Sequence, residues 1–114
     1  MDRGQGTPAR QDRRVIEIII RPEAELDLAA ATDYCARGGD IAAKRFIQRV
    51  EARLEFLQRH PEGAPVVYSR FRRLLLHPYP FGIFYHFAGD RLFVVAVLDL
   101  RQQPDSIQSR LDSD

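Results

Sequence analysis

The stretch Arg70–Pro104, RFRRLLLHPYPFGIFYHFAGDRLFVVAVLDLRQQP, decides the fold. It leads from three arginines in four residues into runs rich in aromatic and β-branched side chains. Gly89-Asp90 between two such runs predicts a two-residue β-hairpin loop. Three strands are therefore expected, at about Tyr68–Leu76, Phe81–Ala88 and Arg91–Leu98. His77-Pro78-Tyr79-Pro80 turns the chain between the first two, with Pro80 confined to a strand start.

The hairpin loop also predicts a register. Phe87 should oppose Leu92, Tyr85 oppose Val94, Ile83 oppose Ala96, and Phe81 oppose Leu98. These pairs make one wholly apolar face, which must lie against helices. The opposite face would carry Gly82, Phe84, His86, Arg91, Phe93, Val95, Val97 and Asp99. It is too apolar to stay in water, so either the C-terminal segment, through Ile107 and Leu111, or a partner must cover it.

Working outward, Val15–Ile20 (VIEIII) reads as a buried strand. Pro22, Glu23, Glu25 and Asp27 suit a helix start. The helix should run from about Glu23 to Arg37, with Leu28, Ala31, Tyr34 and Cys35 on one face and Leu26 and Ala30 flanking it. Gly38-Gly39 stops it. Asp40 can cap a second helix, in which Ala43, Phe46, Ile47, Val50, Leu54 and Leu57 keep the 3.6-residue period up to about His60. Pro61 and Gly63 then break it. The short connection predicts an antiparallel helical hairpin. The fold class is α+β: an N-terminal strand, a two-helix hairpin, then a three-stranded antiparallel meander completing one twisted sheet. Residues 1–14 read as a disordered arm, 15–104 as one domain, and 105–114 as a tail or short helix.

A chain of 114 residues with net charge +1 is one domain without a generally nucleic-acid-coating surface. The charge is unevenly spread. Ile41–Arg73 holds eight basic residues against three acidic ones. Arginine outnumbers lysine sixteen to one, which reflects either genomic base composition or a need for planar, bidentate anion recognition. Cys35 is alone, so no intramolecular disulfide and no thiolate metal site can form. No run has the ~18 apolar residues of a membrane span, and the N-terminus has no secretory h-region. A cytoplasmic protein that touches no membrane is expected.

Arg70, Arg72 and Arg73 form the first candidate site, either a charge-blunted strand or an anion-recognition patch that Arg101 could join. Arg45, Arg49 and Arg53 repeat at i, i+4 on the second helix with no acid at i±3 or i±4. They make either a solvated face or a ridge for an acidic partner. Phe84 and Phe93 are contact candidates on the second sheet face. His60, His77 and His86 are too scattered for a metal. No phosphate loop, nucleophile elbow or paired-carboxylate motif is present. No metal or cofactor is expected.

The order strand–helix–helix–strand–strand–strand resembles the ParE/RelE toxin superfamily. Arg73-Leu74-Leu75-Leu76 resembles its Arg-aliphatic strand, and Pro80-Phe81-Gly82-Ile83-Phe84-Tyr85 its "PY-x-I-x-Y" strand. Ala96–Pro104 (AVLDLRQQP) resembles its closing "a-v-x-H-x-R-R-x-P". The resemblance covers about Val15–Pro104. Asp99 replaces a frequent histidine and Gln102 a common second arginine. RelE-type members cleave messenger RNA on the ribosome with basic residues and usually a C-terminal tyrosine or histidine. After Leu98 this chain has neither, so the group that would take the 2′-hydroxyl proton is missing from its usual place.

The resemblance therefore implies the ParE, plasmid-stabilisation branch. That branch implies a growth-inhibiting toxin that poisons DNA gyrase by binding, without being an enzyme, and a ParD-like antitoxin with an acidic amphipathic segment. Arg70, Arg72, Arg73 and Arg101 are its expected contact residues. A RelE-like nuclease would instead use Arg73 and Arg101 on the phosphate, with His77 or His86 replacing the base. A third alternative is an inactive family member that only binds a partner.

Overall fold

In the computed structural model, which describes residues 16–114, the Gly89-Asp90 loop joins β4 (Phe81–Ala88) to β5 (Arg91–Asp99). Gly89 takes φ +61°, a conformation that costs little without a Cβ. The expected arm at 1–14 and Val15 lie outside the described residues. The remaining elements are β1 (Glu17–Ile20), α1 (Pro22–Cys35), a 3-10 turn (Ala36–Gly38), α2 (Asp40–Arg59), β2 (Val66–Tyr68), β3 (Phe71–Leu75) and α3 (Pro104–Asp112). One five-stranded sheet has the order β1-β5-β4-β3-β2. β1 runs parallel to β5, while β2 to β5 form an antiparallel meander.

The architecture is the α+β one expected, with two local differences. The strand expected over Tyr68–Leu76 is divided by a two-residue turn, Ser69-Arg70, in which Ser69 has φ +53°. Its first part, β2, is paired back onto β3 through Val66↔Arg72 and Tyr68↔Phe71. Gly39, not Asp40, occupies the N-cap of α2, with φ +105°. Asp40 is the first helical residue and favours the helix N-terminus by its charge.

The larger correction concerns register. Phe87↔Leu92 and Tyr85↔Val94 pair as expected, but the next pair is Phe84↔Ala96, followed by Ile83↔Val97, Gly82↔Leu98 and Phe81↔Asp99. Val95 is the extra residue of a β-bulge. A one-residue insertion sends every following side chain to the opposite face. Val97 therefore joins Phe81, Ile83, Tyr85, Leu92 and Val94 in the core under the helices. Ala96 and Leu98, expected there, lie instead on the second face with Phe84 and Val95.

That second face is covered by the chain itself. α3 starts with Pro104 in its first turn and returns across the sheet. Leu111, 2% exposed, and Ile107 pack onto Phe71, Phe84, Val95, Ala96 and Leu98. On the other face, α1 contributes Ala24, Ala31 and Leu28, and α2 contributes Phe46, Val50, Leu54 and Leu57. Tyr34 and Ile47, expected in the core, remain partly in solvent, and Leu26 is 72% exposed.

β1 ends at Ile20, opposite Val94, so the edge of β5 beyond Val94 has no strand beside it. Both helical layers supply partners there. Asp27 of α1 accepts the Val97 N–H at 3.0 Å. Arg110 of α3 donates to the two oxygens of Asp27 at 3.0 and 2.6 Å, and reaches the Val95 carbonyl at 3.5 Å. Hydrogen bonding to Asp27, against the cost of burial, raises the Arg110 pKa and holds the guanidinium charged. The two side chains are only 15% and 27% exposed, so removing one partner strands buried polarity. Asp27→Ala should lower the unfolding free energy by about 2–3 kcal/mol. In urea titrations the double variant Asp27→Ala/Arg110→Met should regain part of that loss. A single-variant loss below about 0.5 kcal/mol, the size of an ordinary surface change, would show that this pair does not anchor the edge.

Candidate functional site

Strand alternation divides the arginine cluster between two faces. Arg72 pairs with Tyr85, and Arg73 with Phe84, so their side chains leave the sheet in opposite directions. Arg72 lies on the helix side. It donates to the Ala64 carbonyl at 2.7 Å and its guanidinium is 5.5 Å from the Phe87 ring centroid. Beside it, the buried Tyr85 hydroxyl donates to the Pro61 carbonyl at 2.7 Å. Burial raises the phenol's pKa despite the nearby Arg72 charge. Together they fasten the α2–β2 connection.

Arg73 points to the α3 side. Its stem crosses Gly82, where a Cβ would stand 3.1 Å from the Arg73 Cγ and 3.2 Å from a Leu100 methyl. A cavity of about 200 Å³ between the sheet and α3 is lined by Arg73, Phe84, Tyr68, Gln102 and Gln108 among others. The Arg73 Nε is buried without a hydrogen-bond partner. Tyr68 turns its hydroxyl to Asp112, at 2.8 Å, and this hydrogen bond raises its pKa.

Arg101 does not join either arginine. It donates to both oxygens of Asp99 at 3.0 and 2.7 Å and stands 5.8 Å from the ring centroid of Tyr34 on α1. Tyr34 in turn meets Phe81 edge-on, which places Arg101 on the helix side. The Arg101 hydrogen bond lowers the Asp99 pKa and raises that of Arg101. Asp99, where the resembled family often has histidine, thus serves as the counter-ion of Arg101.

Of the contact aromatics, Phe84 is 1% exposed under α3 and is not a free surface. Phe93 is half-buried and stacks on His86. On α2, Arg45 and Arg49 line an open groove of about 560 Å³ with Gln48, His77, Pro78 and Tyr79. Arg49 donates from Nε to the His77 carbonyl at 2.8 Å. Arg53 lies over Phe56, and burial, then the Arg49 charge, lowers its pKa. The ridge is therefore partly engaged, with Arg45 facing the groove.

A grouping that the sequence did not disclose surrounds Asp114. Its carboxylate is 3.8 Å from Arg21 Nε, 3.5 Å from Arg70 Nη2 and 3.8 Å from His86 Nε2. These residues come from the β1–α1 junction, the β2–β3 turn and β4. Only the return of α3 brings Asp114 among them, and no local motif sets Asp114 beside those three residues. Among the described residues, no group of three or more His, Cys, Asp or Glu could hold a metal ion, and no helix is long and apolar enough to cross a membrane.

The family model described as the ParE toxin of the type II toxin–antitoxin system parDE matches residues 18–104. The chain belongs to the ParE toxin family. A solved structure from a chromosomal ParDE toxin–antitoxin system of P. aeruginosa shares the fold of this ParE family member. Its TM-score is 0.67 at 20% identity, over 76% of this chain and 98% of that one. No curated protein sequence matches the chain.

Two measurements test the site's geometry. Arg72→Ala should cost about 1–2 kcal/mol in urea unfolding, the worth of a partly buried charged hydrogen bond; an unchanged midpoint would deny Arg72 its fastening role. His86 has a pKa below its usual value, first because it is buried and then because of Arg70 and Arg21, which outweigh Asp114. The unfolded chain therefore takes up this proton first on acidification. The stability from neutral His86 is complete above about pH 6.5 and is lost as pH falls below it. His86→Phe, which keeps a ring against Phe93, should flatten the unfolding free energy between about pH 6.5 and 5. An unaltered slope would refute this linkage.

Proposed function

We propose that this ParE family member is a toxin that binds and poisons DNA gyrase without catalysing a reaction of its own, and that a ParD-like antitoxin neutralises it. The observation that carries the choice is the separation of Arg73 and Arg101. A ribonuclease of the RelE kind would need both on one scissile phosphate. Here they lie on opposite faces of the sheet, and Arg101 is already paired with Asp99. Tyr68, the phenol beside Arg73, is held by Asp112 with its pKa raised, which makes it a poor base at neutral pH.

Antitoxin binding is assigned to the outer side of α2. Arg45 and Arg49 border the groove beside His77-Pro78-Tyr79, and with no acid at i±3 or i±4 on the helix they give that side a positive field. An acidic amphipathic segment complements it in charge. Arg70, Arg72, Arg73 and Arg101 remain the residues proposed to contact a target or antitoxin. Arg70 and Arg101, at 57% and 59% side-chain exposure, are the two of them open to a partner without rearrangement of β3.

Induced expression without antitoxin should arrest growth with gyrase-linked DNA breaks and a DNA-damage response. The purified protein should inhibit supercoiling by gyrase. Arrest of translation before any DNA damage would eliminate the gyrase reading in favour of the ribosome. Arg45→Glu should weaken binding of the cognate antitoxin about three- to tenfold at low salt, and less as salt rises. Equal affinity would place the antitoxin elsewhere.

A further inference from the structure

The Asp114 grouping goes beyond a toxin that binds a protein target, and its reading does not depend on that proposal. Three cationic or protonatable groups face one carboxylate, yet none reaches the 2.7–2.9 Å or so of a charge-assisted hydrogen bond. The closest approach is 3.5 Å. Arg21 Nε and His86 Nε2 are both buried and unpartnered. Burying such donors without acceptors is costly. A cavity of about 270 Å³ adjoins the carboxylate, lined by Arg21, Glu23, Val95, Arg110, Ser113 and Asp114 among others; of the three donors, Arg21 borders it. The three donors thus face a carboxylate that none of them reaches at the distance of a charge-assisted hydrogen bond, beside an open space that Arg21 borders.

The donors are also held in place by rings. The Arg21 guanidinium is 5.3 Å from the Phe93 ring centroid, and that of Arg70 is 4.6 Å from the Phe71 centroid. His86 is stacked on Phe93 at 5.2 Å and meets Phe71 edge-on at 5.7 Å. Cation–π and stacking contacts of this kind fix the cations before any ligand arrives, which lowers the entropy cost of binding one. An arginine fork is matched to oxyanions with more than one acceptor oxygen. Asp114 follows α3, with its backbone N–H donating to the Leu111 carbonyl at 3.2 Å, so its side chain can turn away without unwinding the helix.

We propose that Arg21, Arg70 and His86 form a binding site for a phosphate group, which Asp114 occupies as an internal competitor. A tetrahedral phosphate is larger than a carboxylate and offers more acceptors, so it can meet all three donors at once. The shared chemistry is that of inorganic phosphate and of a phosphate monoester.

The test is titration of the full chain, followed through the His86 ring resonances by NMR at constant ionic strength. Inorganic phosphate, adenosine 5′-monophosphate and acetate are added separately. Saturable shifts with phosphate but not acetate are expected. Asp114→Ala should bind phosphate about tenfold more tightly, and Arg70→Ala about tenfold more weakly. Both side chains lie in peripheral segments, and matching far-UV spectra would confirm that the variants fold. Tighter binding of the monophosphate would support the site with an ester as its ligand; equal binding would support it with free phosphate. Absence of a saturable shift even in Asp114→Ala would overturn the proposal. So would equal affinities in wild type and Asp114→Ala, or an equal response to acetate.

Discussion

The bidentate contact of Arg110 with Asp27 governs the arrangement of all three layers. β1 is too short to cover β5, and the uncovered edge would leave backbone groups without partners at the centre of the fold. Asp27 closes that edge from the helix side, while Arg110 closes it from the α3 side. The bulge at Val95 occurs where this happens. It turns Val97 inward toward the helices and Ala96 and Leu98 outward toward α3. One extra residue therefore gives each layer its own core, and one ion pair ties the layers together around the strand edge.

The same alternation explains why a run of arginines is not a patch. In FRRLL the two arginines are neighbours in sequence and opposites in space. Arg72 fastens a loop, Arg73 enters a cavity under α3, and Arg70 sits in a turn beside Asp114. Arg101, after an odd shift of register in β5, falls on the helix side with Asp99 and Tyr34. A site that needs several cations on one phosphate cannot be assembled from Arg73 and Arg101 in this arrangement. A partner that meets separate cations at separate places can.

Local signals were sufficient for much of the fold. The Gly-Asp loop, the period of α2 and the Gly38-Gly39 stop each depend on residues within one turn or one element, and each element formed as they imply. The two-faced hairpin correctly required a cover, and Ile107 and Leu111 provide it. Leu92–Leu98 is apolar at almost every position, however, so its pattern carries no period from which a bulge could be detected. The Ser69-Arg70 turn was hidden for a similar reason, since arginine carries no turn preference and a lone serine does not mark a turn inside a strand-like run. Asp27 read as a residue suited to a helix start. Its bond to a helix 83 residues away has no signature in either segment, and the cluster around Asp114 is of the same long-range kind.

The covering of the second face by α3 limits what remains for partners. Phe84 and most of the apolar surface around it are already used, so an incoming segment there must displace α3 and the Asp27–Arg110 pair with it. Breaking that pair strands buried polar groups on both helical layers. The groove between α2 and His77–Tyr79 makes no such demand. Arg45 on its border is exposed, and the bond from Arg49 to the His77 carbonyl stiffens the groove from within. The cost of rearrangement thus favours the basic outer side of α2 over the apolar sheet face as the first place an acidic chain would engage this protein.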